Sequence, residues 1–360
     1  MLERPSLTDH ALRTAARLLG RLPEPAVRRL AGPAVSVEGV PLDPTVQVSL
    51  KVMNSSPGAH FETMPVAEAR AVIEEEAWTF ASSLQLPGIE EIDIPTRGGS
   101  VRARVYPGAG QDRPNGVLVY FHGGGWVLGS LASGDSVCRT LAARARVTVV
   151  SVDYRLAPEH PFPAGVNDCL DAFRWVRDHA ATFGSTPDRV AVGGESAGGN
   201  TAAVVALDTR DDGGSGSGPA FQLLFFPVTD LSRKSRSYEL FSDGFFLTEA
   251  QMDWYAEHYT SGGDSLADPR ISPLLTDDLS DAAPAYVAVA GFDPLRDEGV
   301  AYASRLREAG VPVALVEHRH QIHGFVNACG VTREGLAAVH DAADHLLAAL
   351  TSPTAPLASR

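Results

Sequence analysis

The run from Arg189 to Leu207, RVAVGGESAGGNTAAVVAL, restricts the fold more than any other part of the chain. It begins with a short apolar stretch that reads as a strand, Arg189 to Val192, and ends with an Ala/Val-rich stretch of good helix-forming content. Between them, Gly194-Glu195-Ser196-Ala197-Gly198 matches G-x-S-x-G, a pattern that carries meaning only where a strand enters it and a helix leaves it. So sharp a turn strains the backbone of its central residue, and flanking glycines remove side chains that would clash. The serine hydroxyl is then held clear of the backbone at the positive end of a helix. Taken alone, the same residues also describe a glycine-rich turn with an incidental serine. A nucleophile needs more: a base, an acid to orient that base, and donors for a developing negative oxygen.

The rest of the chain repeats the strand-then-helix pattern. Gly116–Phe121, Val147–Val152, Phe221–Phe226 and Ala285–Ala290 are unbroken apolar runs, as expected of strands buried on both faces. Val313–Glu317 reads as the last strand. Helices are expected over 134–145, 164–183, 297–309 and 332–350. Ile89–Pro95 and Val101–Tyr106, around Arg97-Gly98-Gly99, predict a hairpin. The fold class is therefore α/β, a mostly parallel central sheet with helices on both faces. Before residue 89 the reading is helical: an amphipathic helix over 6–20 with a Ser6/Asp9 capping box and Gly20 as its stop, then an irregular connection over 32–62. A second helix follows from Thr63, its cap, to Leu84, with Pro87-Gly88 ending it. Residues 231–279 interrupt the alternation and hold Phe241, Phe245, Phe246, Trp254, Tyr255 and Tyr259. The expected division is 1–88 as N-terminal helices contributing to a cap, 89–350 as the catalytic domain with a cap insertion at 231–279, and 351–360 as a frayed tail. Asp211 to Pro219 reads as a surface loop.

In open parallel sheets, chemistry gathers at the carboxyl ends of strands. His122, Ser196, Asp293 and His323 each follow a predicted strand. Ser196 is the candidate nucleophile, His323 the base and Asp293 the orienting acid, and the chain order Ser, Asp, His is that of α/β-hydrolases. Asp297 and Glu298 compete for the acid role but fall inside the next helix, where capping or pairing with Arg296 or Arg305 is expected. Gly123-Gly124-Gly125 offers backbone N–H groups to a substrate oxygen, joined by the N–H of Ala197, while His122 and Gly123 support that loop. A phosphate-binding loop would need a Lys-Ser/Thr or a GxGxxG before a helix, and neither is present. His318-x-His320-x-x-His323 invites comparison with a metal site. No carboxylate or further His stands beside it at helical spacing, so His318 and His320 are read as hydrogen-bonded structural residues, with no metal and no cofactor.

These motifs together, HGGGW at 122–126, YRLAPEHPFPAG at 154–165, GESAGG at 194–199, DPRISPL at 268–274, GFDPLRDEG at 291–299 and HGF at 323–325, resemble the hormone-sensitive-lipase-like esterases, bacterial family IV of the α/β-hydrolases. The resemblance covers about 63–350. It implies a serine carboxylesterase with the triad Ser196, Asp293 and His323, oxyanion donors Gly124, Gly125 and Ala197, and a helical cap. One residue departs from the pattern: the nearest subgroup has Asp before the nucleophile, and this chain has Glu195. Relatives that act as non-catalytic ligand-binding receptors lack the His that is present here as His323; amide hydrolysis would use the same triad.

A net charge of -14 argues against a nucleic-acid partner. The three scattered cysteines fit a reducing compartment and hence the cytoplasm. The N-terminus has no continuous apolar region, because His10, Arg13, Arg17 and Arg21 interrupt it, so neither a signal peptide nor stable membrane insertion is expected. The expected partner is a small-molecule ester of short or medium acyl chain. Monomer and homodimer both stay open.

Overall fold

The computed structural model describes residues 7–108, 116–210, 212 and 217–351. The N-terminal part comprises α1 (Leu7–Leu19), α2 (Glu24–Ala31), a short ladder of β1 (Ser36–Val37) and β2 (Val40–Pro41), α3 (Pro44–Met53) and α4 (Val66–Phe80). Then come β3 (Glu90–Thr96), β4 (Gly99–Tyr106), β5 (Val117–Phe121), α5 (Asp135–Ala145), β6 (Thr148–Asp153), α6 (Ala164–Asp178), β7 (Val190–Glu195), α7 (Ala197–Asp208) and β8 (Gln222–Phe225). The remainder is α8 (Arg236–Leu240), α9 (Glu249–Tyr259), β9 (Ala285–Phe292), α10 (Arg296–Glu308), β10 (Val313–Ile322) and α11 (Arg333–Thr351).

One eight-stranded sheet runs in the order β10-β9-β8-β7-β5-β6-β4-β3. Strands β10 to β6 pair in parallel, and β4 and β3 add an antiparallel edge. Alternate residues of each central strand enter different cores. Val117, Val119 and Phe121 pack with α6, α7 and α10, whereas Leu118 and Tyr120 pack with α5 and α11. The chain places β6 on one side of β5 and β7 on the other, so the order reverses between β5 and β7. At that switch point the loops after the two strands are neighbours, because Phe121 pairs with Gly194. This register brings His122–Trp126 against Ser196.

The N-terminal region differs from expectation. The segment 32–62 is not irregular: it holds β1, β2 and α3. Asp43 Oδ1 accepts the N–H groups of Thr45 (2.7 Å) and Val46 (3.1 Å), and Pro44 fills a first-turn position that needs no donor. Its Pro, Gly and Ser content hides that capped helix. The second helix is shorter than Thr63 to Leu84. Thr63 does not cap it; its hydroxyl donates to the His60 carbonyl (2.8 Å), and Pro65 occupies the cap position. At the other end, Arg13 of α1 donates to the Trp78 carbonyl (3.0 Å), a cation at the negative end of α4 that closes the helix well before Pro87-Gly88. Strand β10 runs on to Ile322, so His318 and His320 are strand residues and His323 follows directly. The Ser6/Asp9 capping box, residues 352–360 of the tail and residues 211 and 213–216 of the Asp211 to Pro219 loop lie outside the described residues.

Candidate active site

Ser196 occupies the turn between β7 and α7 at φ 56°, ψ -120°, a conformation that side-chain-bearing residues rarely adopt. The turn closes tightly enough that a Cβ on Gly198 would lie 2.0 Å from the Phe121 carbonyl oxygen. That contact explains the second glycine of the motif. The Ser196 hydroxyl lies 3.0 Å from His323 Nε2, and His323 Nδ1 lies 2.8 Å from Asp293 Oδ2. Asp293 Oδ1 accepts the N–H of Leu295 (2.9 Å), which fixes the carboxylate with one oxygen toward the imidazole. With the carboxylate on Nδ1, the proton sits there and Nε2 is left to accept from the serine. Asp293 is fully buried, His323 nearly so, and the Phe226 ring packs against the imidazole at 4.6 Å between centroids.

The glycine loop arches over this group. Gly124 has φ 108°, and a Cβ there would lie 2.3 Å from the Leu128 carbonyl oxygen. Among the described residues, none accepts a hydrogen bond from the N–H of Gly124, Gly125 or Ala197. His122 Nδ1–H donates to the Gly123 carbonyl (2.8 Å), its ring stacks on Tyr154 (4.5 Å), and the Tyr154 hydroxyl donates to the His122 carbonyl (2.7 Å). Burial lowers the His122 pKa and keeps the ring neutral. Such an imidazole braces its loop and lies outside the Ser196–His323–Asp293 chain.

Glu195 holds this loop from below. Its side chain is buried, and Oε1 accepts both the N–H of Gly123 (3.0 Å) and the Asn327 Nδ2–H (3.2 Å). One carboxylate thus ties the glycine loop to the segment that follows His323. Burial raises the Glu195 pKa, opposed by its hydrogen bonds from Gly123 and Asn327. Asn327 carried no signal in the sequence, since nothing in its surroundings distinguishes it from a surface amide.

A model of the alpha/beta hydrolase fold matches residues 118–327. A carboxylic ester hydrolase of Mycobacterium tuberculosis, LipN, is 44% identical over 86% of this chain and 84% of its own. The chain belongs to the hormone-sensitive-lipase-like esterases of the α/β-hydrolase fold. An ethyl acetate hydrolase of Pseudomonas putida is 37% identical to this esterase over 74% of this chain and 85% of its own. Among solved structures, an ester hydrolase from the Lake Arreo metagenome, complexed with a bipyridine phosphonate derivative, superposes with a TM-score of 0.81. It is 41% identical and covers 85% of this chain and 98% of its own. An esterase of Pyrobaculum calidifontis gives a TM-score of 0.79 at 38% identity, covering 85% of this chain and 98% of its own.

The competing side chains of this esterase are engaged elsewhere. Asp297 accepts from Arg296 Nε (2.8 Å) and from the Ser237 N–H (2.9 Å). Among the described residues, Glu298 neither caps α10 nor pairs with an arginine. It is buried, and its Oε1 accepts the N–H groups of Thr229 (2.7 Å) and Asp230 (3.3 Å), fastening the loop after β8. His320 Nδ1–H donates to the Pro41 carbonyl (2.8 Å). His318 departs from its expected hydrogen-bonded role: its Nε2 has no partner among the described residues, and its ring packs on Phe325 at 4.7 Å. Burial lowers the His318 pKa. No helix among the described residues is long and apolar enough to cross a membrane.

Proposed function

We propose that this esterase hydrolyses short- to medium-chain carboxylic esters through a covalent acyl-enzyme on Ser196. The observation that carries the reading is the unbroken chain Ser196 Oγ, His323 Nε2, His323 Nδ1, Asp293 Oδ2, at 3.0 Å and 2.8 Å. In the acylation step, Ser196 Oγ bonds to the ester carbonyl carbon while His323 Nε2 takes the hydroxyl proton. The imidazolium that forms is stabilised by Asp293. The carbonyl oxygen becomes an oxyanion held by the N–H groups of Gly124, Gly125 and Ala197, with His122 and Gly123 supporting the loop. The bond to the alcohol oxygen then breaks, and His323 returns the proton to it. Water, deprotonated by His323, attacks the acyl carbon; the bond to Ser196 Oγ breaks, His323 returns the proton to that oxygen, and the acid leaves. No cofactor or metal enters any step.

In this reading, residues 1–88 and the insertion at 231–279 roof a catalytic domain of 89–350. The support is the cavity of about 210 Å³ above Ser196, lined by Val46 and Phe61 from the first part and by Leu247 and Tyr255 from the second. An apolar, roofed cavity of this size favours short acyl chains over emulsified triglyceride. The three cysteines are free and buried, which supports a reducing compartment and the cytoplasm. The test is a panel of nitrophenyl esters of graded acyl length. Turnover should peak at short or medium chains and vanish in Ser196→Ala. A peak at long-chain emulsions refutes the chain-length reading, and undiminished activity in folded Ser196→Ala refutes the nucleophile.

A further inference from the structure

Helix α4 carries three successive glutamates with different surroundings. Glu75 is exposed to solvent. Glu74 accepts a hydrogen bond from Ser130 Oγ. Glu76 falls on the stripe formed by Ile73, Ala77 and Phe80, and all four line the cavity above Ser196. Helical spacing asks for an apolar residue at this position. Instead a carboxyl stands in the cavity, and no hydrogen bond or ion pair to that carboxyl exists among the described residues. No Lys or Arg among the described residues lines the cavity. The other cavity-lining carboxylate, Glu195, is already held by Gly123 and Asn327. Glu76 is half-buried, so its carboxyl gives up part of its hydration among apolar neighbours without gaining a cation from the cavity lining, and a cationic ligand would supply that partner.

We propose that Glu76 is a specificity residue that selects esters carrying an ammonium group, and that it disfavours esters carrying a free carboxylate. The inference rests on the esterase reading above. An ammonium is the complement of a carboxylate without a cation, and aromatic rings in the same cavity suit it further. Phe61, Phe80 and Tyr255 line the cavity with Glu76, and aromatic faces attract quaternary ammonium groups. Tyr255 also packs against the glycine loop, where a Cβ on Gly125 would meet its ring at 2.1 Å. Glu76 and Ser196 line the same cavity. Burial pushes the Glu76 pKa up to about 7. Glu76 and Glu62 in turn help hold the Tyr255 phenol protonated, after the larger effect of burial. An arriving cation shifts Glu76 back toward the carboxylate.

The ammonium could belong to the alcohol or to the acyl part, and two isosteric pairs separate these. The first is butyrylcholine against the butyrate ester in which a tert-butyl group replaces the trimethylammonium. The second is the nitrophenyl ester of an ω-trimethylammonio acid against its tert-butyl isostere. The full-length enzyme is assayed at about pH 8, where the carboxylate predominates. The readout is the ratio of kcat/KM within each pair, in which a general effect of substitution cancels. We expect the cation to be favoured by about tenfold in one pair, with the ratio falling to within about twofold of unity in Glu76→Gln. Glu76→Leu, which matches the apolar lining, supplies the same comparison should the glutamine variant fold poorly. A wild-type ratio under about twofold in both pairs overturns the proposal. So does a preference that survives in both variants. Failure to hydrolyse any of the four esters while nitrophenyl butyrate is turned over also overturns the proposal, whereas failure on nitrophenyl butyrate as well counts against the esterase reading itself.

Discussion

Replacing Glu195 separates its hydrogen-bonding role from its charge. In Glu195→Ala, the N–H of Gly123 and the Nδ2–H of Asn327 lose their shared acceptor in a buried site. Each unsatisfied donor costs about 1–3 kcal/mol, so stability should fall by about 2–6 kcal/mol if no water enters. Gly123 adjoins the two glycines assigned to the oxyanion, and losing one such donor costs about 10²–10³ in kcat. A loop that is loosened and not removed should lower kcat by about 10- to 1,000-fold, with KM changed much less, because the oxyanion exists only in the transition state. Glu195→Gln keeps an acceptor oxygen and should hold kcat within about fivefold. The charge then shows in stability. The Glu195 pKa is raised in the fold, so ionisation is less favourable in the folded than in the unfolded state. Wild-type stability from this group is therefore full at low pH and declines as pH climbs from the ordinary glutamate value to the raised one. The melting temperature of Glu195→Gln relative to wild type should rise over that window and then level off. Steady-state kinetics on a nitrophenyl ester and thermal melts across pH supply both readouts. A folded Glu195→Ala enzyme with kcat within twofold of wild type would refute the claim that this carboxylate holds the loop.

Other outcomes follow from single contacts. Asp293→Asn should lower kcat by about a thousandfold or more with little change in KM, because the amide favours the wrong imidazole tautomer; kinetics alone check this. Gly124→Ala forces a side chain into positive φ and against the Leu128 carbonyl, and should cost both activity, by about 10²-fold or more, and melting temperature. Arg70 grips Glu159 and the carbonyls of Val127 and Ala157, so Arg70→Ala should loosen α4 and lower the melting temperature without removing the triad. The same pair holds the Glu159 pKa at about 2, which makes its stabilisation complete above the ordinary glutamate range and lost as pH falls through that value. The melting difference between wild type and Glu159→Gln should accordingly shrink on acidification.

The parts of this enzyme that were legible in its sequence are those in which local pattern and tertiary role coincide. The elbow at Ser196 pairs a tight turn with a buried strand and a helix, and each leaves its own mark on residue choice. His122 and Asp293 could be placed because buried parallel strands are apolar, which makes their ends visible; His323 was placed by its His-Gly-Phe motif, since β10 runs on past its apolar stretch through polar residues to Ile322. Helix α3 was hidden, since its cap, Asp43-Pro44, lies among residues that also build loops. Glu298 was misread because local spacing puts it at the start of a helix, while its partners, Thr229 and Asp230, are distant in the chain. Asn327 and Glu76 were missed for the same reason: their significance comes from what the fold places opposite them. Glu195 stood out only as a departure from a motif, and the structure supplies its contacts.

The most direct test of the central claim is intact-protein mass spectrometry after reaction with an organophosphonate ester, followed by peptide mapping. A single adduct on Ser196, with parallel loss of ester hydrolysis and no adduct in Ser196→Ala, is the predicted result. An active enzyme that stays unlabelled, or an adduct on another residue whose formation abolishes activity, would contradict it.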